Sequence, residues 1–343
     1  MTDSLRATAR TRATRPLLAG AALLTALALA ACGTTEAPAE SAEPGAASGA
    51  PSDTVTVTDA RGEQVEIPAG VEDVVALEWN VVEHLQTVGV APVGVADVEG
   101  YSAWAGLGAP LEGEPTDVGT RTEPSIDAIA GLAPDLIVAT SGRDAGAYAD
   151  LEAIAPVVVV QGADAASPIE TMVADLRLVG EAVGNEAAAD EAIEAYEAHV
   201  AEVSAMVEER GLAGIELAHM DGWETGGQVS IRPYAEGALL PAAFESVGFV
   251  NGWPGEGDPQ YGLGSTDVEG LTALGDDTHI LYTTGGDVDV FETVLADNTI
   301  WTGLPTVQAG NVHRLPDGIW LFGGVDSLTA YLDAIVTTLA PTP

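Results

Sequence analysis

The chain has 343 residues with 53 acidic and 11 basic side chains, every base an arginine, for a formal charge of −42. Without lysine there can be no Walker A phosphate loop, Schiff-base enzyme or Ser-x-x-Lys acyl-enzyme, and this charge excludes a nucleic-acid partner, whose phosphates basic residues must neutralise. Apolar residues make up 47% of the chain, enough for a core, and the length divides into two compact units at roughly 100 to 200 residues each.

Arg6, Arg10, Arg12 and Arg15 precede an apolar run over residues 17–31 that is too short to span a bilayer and reads as the h-region of an export signal. It ends in Leu29-Ala30-Ala31-Cys32, which resembles the lipobox of bacterial lipoproteins and holds the only cysteine. Residues 1–31 are therefore expected to be removed and Cys32 lipidated; the alternative is an ordinary cleavage site beside a free thiol. There is no twin arginine, so the general export route is expected. The cut leaves 52 acids against 7 arginines, a charge of −45. Such a surface keeps a tethered protein soluble and away from anionic headgroups, or else reflects adaptation to salt. Residues 32–53 are rich in Ala, Pro, Gly, Ser and Glu and read as a flexible linker, which would hold a domain on the order of 25 Å from the membrane.

Beyond the linker, Thr54 to Thr58 and Gln64 to Ile67 flank Asp59-Ala60-Arg61-Gly62, a hairpin signal. Short apolar strands (73–77, 93–96, 135–140, 156–160) then alternate with helical segments (81–88, 125–132, 147–154). This alternation predicts a largely parallel sheet covered on both faces. Residues 185–210 form a long helix, with Asn185 as N-cap and a stripe of Ile193, Tyr196, Val200, Val203 and Val207. A coiled-coil seam is the competing reading of that stripe. The α/β pattern returns in strands 215–220 and 279–283 and helices 236–247, 267–274 and 328–339. The fold class is thus α/β: two Rossmann-like lobes with mostly parallel sheets (54–184 and 211–343), joined by one long bridging helix (185–210), with a ligand cleft between them.

Enzyme signatures are absent: the chain has no G-x-S-x-G, H-E-x-x-H, C-x-x-C or G-x-G-x-x-G. His84 and His199, in helical stretches, are expected to cap or face solvent, while His219, His279 and His313 suit satisfied core positions. None pairs with another at metal-ligand spacing. A metal-dependent hydrolase assembled from His219, Asp221 and His279 stays open as a remote alternative, as does a purely structural surface protein.

Four blocks, LEWNVVEHLQTVGVAPVGVADVEGYSAW, DVGTRTEPSIDAIAGLAPDLIVATSG, YGLGSTDVEGLTAL and WTGLPTVQAGNVHRLPDGIWLFGG, together resemble the iron-siderophore substrate-binding proteins of bacterial ABC importers, ferric hydroxamate-binding members above all. The resemblance implies two lobes around a shallow cleft, no catalysis and no cofactor, with ferric iron entering only inside the bound siderophore and no direct metal ligand from the protein. It assigns Arg121 to the oxygens around the iron, and Trp104, Trp320 and Phe322 to an aromatic wall. Guanidinium suits anionic oxygens and tryptophan suits the apolar arms of a chelate. Where hydroxamate receptors carry a tyrosine this chain has Arg143, and where they carry a second tryptophan it has Leu263, with Tyr261 close by. Arg143 and Arg232 would suit a more anionic, carboxylate or mixed ligand, or else pair on the surface.

The resemblance also matches Asp127 and Glu269 to acids that dock on the membrane permease, whereas acids in a first helical turn already complement the helix dipole. The expectation is a lipid-anchored monomer on the outer face of the cytoplasmic membrane that delivers a ferric siderophore to an ABC permease. Ferric carboxylate, catecholate, cobalamin and haem receptors on the same scaffold are the alternatives.

Overall fold

The computed structural model describes residues 54–143, 146–284 and 288–340. The segments expected to be a signal peptide and a linker, with Cys32, lie outside the described residues. Among the described residues no helix is long and apolar enough to cross a membrane.

The chain opens with the expected hairpin, β1 (Thr54–Thr58) and β2 (Gln64–Pro68), turning through Gly62 at φ +77°. The first lobe then builds β3 (Val74–Ala76), α1 (Trp79–Thr87), β4 (Gly94–Val95), α2 (Val98–Trp104) and β5 (Thr116–Asp117). A small hairpin of β6 (Gly119–Thr120) and β7 (Glu123–Pro124) leads to α3 (Ile126–Leu132), β8 (Leu136–Thr140), α4 (Tyr148–Glu152) and β9 (Val157–Val160). Its main sheet is wholly parallel, in the order β5-β4-β3-β8-β9. Every residue of β3, β8 and β9 is buried, as expected for strands covered on both faces.

Two helices follow, α5 (Pro168–Val183), which was not expected, and α6 (Glu186–Glu209). The second is the predicted long helix, and Ile193, Tyr196, Val203 and Val207 are its buried stripe. It packs on α5 and on the C-terminal helix. Both helices touch both lobes: α5 contacts α1, β1 and β9 on one side and a helix of the second lobe on the other, and α6 contacts α1 as well as the C-terminal helix. Its ends carry ordinary signals, Pro168 at the start and Gly184 at φ +76° after the end. Asn185 does not cap α6 with its side chain; its Nδ2 donates to the Val88 carbonyl at 2.9 Å, tying the α5–α6 corner to the end of α1.

The second lobe contains β10 (Glu216–Thr225), β11 (Gln228–Pro233), α7 (Leu239–Ser246), β12 (Val250–Asn251), β13 (His279–Tyr282), α8 (Pro305–Gln308), β14 (Val312–Arg314) and α9 (Val325–Leu339). Its sheet runs β11-β10-β13-β14, with β12 also on β10, and only β11 is antiparallel. The helix expected over 267–274 is a 3₁₀ turn at Gly270–Ala273; the Asp267 carboxylate accepts from the N–H groups of Glu269 and Gly270 and fixes a tight start. One apolar cluster passes without a break from Val57 and Leu85 through Leu176, Ile193 and Val203 to Phe244 and Tyr331. The lobes are thus welded along one side.

Two histidine expectations need correction. His84 is buried in α1 with neither ring nitrogen hydrogen-bonded among the described residues, and burial pushes its pKa down to about 4. His279 and His313, distant in sequence, meet on the parallel neighbours β13 and β14, with rings stacked and Nδ1 to Nε2 at 2.9 Å. His199 lies 3.2 Å from Asp333.

Candidate functional site

A cleft of about 520 Å³ opens between the lobes, lined on one side by Glu78, Trp79, Asn80, Trp104, Arg121, Thr140, Arg143 and Gly162, and on the other by Arg232, Tyr261, Leu263 and Trp320 to Phe322. Its first wall lies at the carboxyl ends of β3, β8 and β9, where open parallel sheets place their ligands. Its size is that of a small-molecule site.

Glu78 follows β3 and starts α1, its Oε1 accepting from the Trp79 N–H at 3.0 Å. The same carboxylate is shared by two arginines, Arg121 at 2.7 Å from Oε1 and Arg143 at 2.7 Å from Oε2. Arg121 occupies the two-residue turn between β6 and β7, held by the Glu123 N–H bonding to Thr120 Oγ1 at 3.1 Å. Its guanidinium lies over Trp79 at 3.9 Å and over Trp320 at 4.8 Å, and its buried Nε has no hydrogen-bond partner among the described residues. Trp79 is braced from below by Nε1 donating to the Ala96 carbonyl at 3.1 Å. The aromatic wall runs on by edge contacts from Trp79 to Trp320 (4.6 Å), Trp104 to Trp320 (6.4 Å), Trp320 to Phe322 (5.2 Å) and Tyr261 to Phe322 (5.6 Å).

Arg232 faces this wall from the second lobe. The β10–β11 hairpin turns through Gly226 and Gly227, both at positive φ, and its register sets Arg232 opposite Asp221. Both carboxylate oxygens of Asp221 accept from the guanidinium, through Nε and Nη2. Burial works against the charge on Arg232, but Tyr234 and Asp221 outweigh it and its pKa is raised. Tyr261 and Leu263 ride a loop whose anchor is Asp258: its carboxylate accepts from the N–H groups of Gln260, Tyr261 and Leu263. Burial pushes that carboxyl up, yet the three N–H donors win and its pKa is lowered.

All seven residues singled out for binding, Arg121, Trp104, Arg143, Trp320, Phe322, Arg232 and Tyr261, line this one cleft. Arg143 pairs with Glu78 and Arg232 with Asp221, and among the described residues neither has an ion pair on the outer surface. The sequence reading passed over Glu78, Asn80 and Thr140 and left Trp79 unplaced; an acid and a tryptophan directly after a buried parallel strand were the available signal. The hydrolase residues do not converge: His219 meets the Tyr331 hydroxyl at 3.0 Å, Asp221 is held by Arg232, and His279 stacks on His313. Among the described residues no group of three His, Cys, Asp or Glu is placed to hold a metal.

The sequence profile of the periplasmic binding protein family matches residues 74–318. The chain belongs to that family. It is similar to the iron(3+)-hydroxamate-binding protein FhuD of Escherichia coli, with 26% identity covering 73% of this chain and 81% of that protein. It is also similar to the probable siderophore-binding lipoprotein YfiY of Bacillus subtilis, with 26% identity covering 92% and 95%. Among solved structures, the Fe³⁺–Desferal-bound FhuD of Vibrio cholerae matches with a TM-score of 0.70 and 26% identity over 80% of this chain and all of that one. As a member of a family of transporter binding proteins, the chain is a receptor and not an enzyme.

In this periplasmic binding protein Asp127 lies in the first turn of α3 on the first lobe, and Glu269 immediately precedes the 3₁₀ turn on the second. Both are exposed, and neither has an ion-pair partner among the described residues.

Proposed function

We propose that this protein captures a ferric siderophore, with the hydroxamate class favoured, outside the cytoplasm and delivers it to an ABC permease for iron uptake. The carrying observation is where the cations are: only seven arginines occur beyond residue 53, and three of them line one cleft beside a continuous aromatic wall. An octahedral iron chelate has that mixed character, oxygens around the metal and apolar arms outside. Planar, permanently charged guanidinium groups suit the oxygens, and large rigid rings suit the arms. Iron is cargo held by its chelator, and the protein contributes shape and donors without ligating it. The similarity to FhuD of Escherichia coli and to the Desferal-bound protein of Vibrio cholerae supports this reading. Arg143 favours one second reading, a ferric carboxylate such as ferric citrate, which would use both arginines of the first lobe.

The anchor is a lipid on Cys32, the working form is a monomer, and Asp127 and Glu269 contact the permease. The likeness to a lipoprotein of Bacillus subtilis supports the first of these.

Trp79, Trp104 and Trp320 line the cleft and make its occupancy visible in fluorescence. Titration with ferrichrome, ferrioxamine, ferric citrate and a ferric tris-catecholate, each beside its iron-free form, is expected to give saturable quenching by the ferric hydroxamates alone. Arg121→Ala should weaken that binding about tenfold or more, the cost of a charge-assisted contact. Quenching by none of the ferric chelates would refute the siderophore reading, and quenching by ferric citrate alone would install the second.

A further inference from the structure

Among the described residues lining the cleft, Glu78 is the only acid, and its position is fixed on three sides. Its side chain is 7% exposed, it bridges Arg121 and Arg143 at 2.7 Å each, and it takes the Trp79 N–H at 3.0 Å. A buried carboxylate beside a site for an anion is costly unless it does something there. The charges around it show what that is. Across the cleft Asp221 cancels Arg232, and on the near side Glu78 cancels one of two guanidinium groups, so three arginines present a net of one positive charge. The arginines still have donors to offer, since a guanidinium carries five N–H groups and Glu78 takes up only part of each set.

We propose that Glu78 is the specificity-determining residue for ligand charge: by clamping Arg121 and Arg143 and cancelling half their charge, it matches the cleft to uncharged or singly charged ferric chelates and disfavours polyanionic ones. This rests on the siderophore reading. The argument is one of difference, since both kinds of chelate present iron-bound oxygens to the same donors. A trianionic chelate meets the Glu78 carboxylate with three negative charges, an uncharged one with none. On this proposal the extra arginine does not open the cleft to polyanions, because Glu78 accompanies it, and the ferric carboxylate reading is its rival.

The test measures dissociation constants for ferrichrome, which is uncharged, and for a trianionic ferric tris-catecholate, with wild type, Glu78→Gln and Arg143→Gln. Glutamine keeps an acceptor for the Trp79 N–H and removes only the charge. The expected result for Glu78→Gln is a shift of the catecholate-to-ferrichrome affinity ratio toward the catecholate by about tenfold or more, the order expected for a unit charge near a partly solvated ligand. Arg143→Gln should move the ratio the other way, and both shifts should shrink at high salt. If Glu78→Gln does not fold, the opposite shift in Arg143→Gln carries the test. A ratio that stays within about threefold in the folded variants, well under that charge effect, or that moves the same way in both, overturns the proposal while leaving the siderophore reading intact. Wild-type protein that prefers the trianion likewise overturns it. Wild-type protein that binds neither chelate removes the siderophore reading and this proposal with it.

Discussion

A carboxylate buried without a cation is unusual, and Glu83 is one. It is wholly buried in α1 and lies at the start of α9, where Oε1 accepts the Ser327 N–H at 2.8 Å and Oε2 the Ser327 hydroxyl at 2.7 Å. Burial pushes its pKa up to about 7 against the pull of those bonds. The native state therefore holds a proton that the unfolded chain releases near pH 4.5, so this contribution to stability is complete below that pH and is lost as pH rises through about 7. The shift corresponds to about 3 kcal/mol. Glu83→Gln keeps both hydrogen bonds without the charge; it is expected to stabilise the protein at pH 8 by about 1–3 kcal/mol and to change little at pH 5. Denaturant melts at the two values check this, and an equal effect at both would refute it. His84 works in the opposite sense, since a pKa pushed down to about 4 costs stability as pH falls below 6.5. Neither role was legible in the sequence, because an acid and a histidine on a short helix read as a solvated face until α9 is laid over them.

At the scale of elements, the periodic segments were legible and the corners were not. The buried runs of β8 and β9 and the stripe of α6 announce themselves by composition and spacing alone. The β10–β11 hairpin, which pairs Arg232 with Asp221, carried a Gly-Gly turn signal that the reading did not use. Helix α5 was missed although Pro168 and Gly184 mark its ends, since its buried face includes Thr171, Asp175 and Gly180 and so does not resemble an apolar stripe. Asp175 serves there as an anchor, accepting from the N–H groups of Gln161 and Gly162 at 2.8 and 2.7 Å where the chain leaves β9 beside the cleft. The loop carrying Tyr261 and Leu263 gives the test at this scale. Gly262 sits at φ +67°, and a Cβ added to it would lie 2.3 Å from the backbone nitrogen of Ala238. Backbone cannot yield as a side-chain tip can. Gly262→Ala is therefore expected to cost about 2–3 kcal/mol and to displace Tyr261 from the cleft. A lowered denaturation midpoint together with weakened ferrichrome quenching would bear this out; an unchanged midpoint would show that the loop repacks freely.

For the whole molecule, the question is which of 53 acids on a chain of charge −42 mean anything beyond solubility. Charge density cannot single out Asp127 and Glu269, and their sequence positions have a sufficient explanation in helix electrostatics. Their placement suits the docking role that the family resemblance gives them. One lies on each lobe, each at the start of a helical turn, both exposed and without an ion-pair partner among the described residues. The lobes are welded through α5, α6 and a shared core, so two such acids keep a nearly constant separation and suit a two-point contact with a permease. Neither residue lines the cleft. Reversing both to arginine is thus expected to leave ferrichrome affinity within about twofold, and the cost to α3 should be no more than about 1 kcal/mol, the scale of a first-turn charge. Uptake of iron-labelled ferrichrome by cells carrying the double variant should nevertheless collapse, and each single reversal should fall between. Normal uptake with both charges reversed would reduce Asp127 and Glu269 to their helix-end role and move the search for the docking face elsewhere on the two lobes.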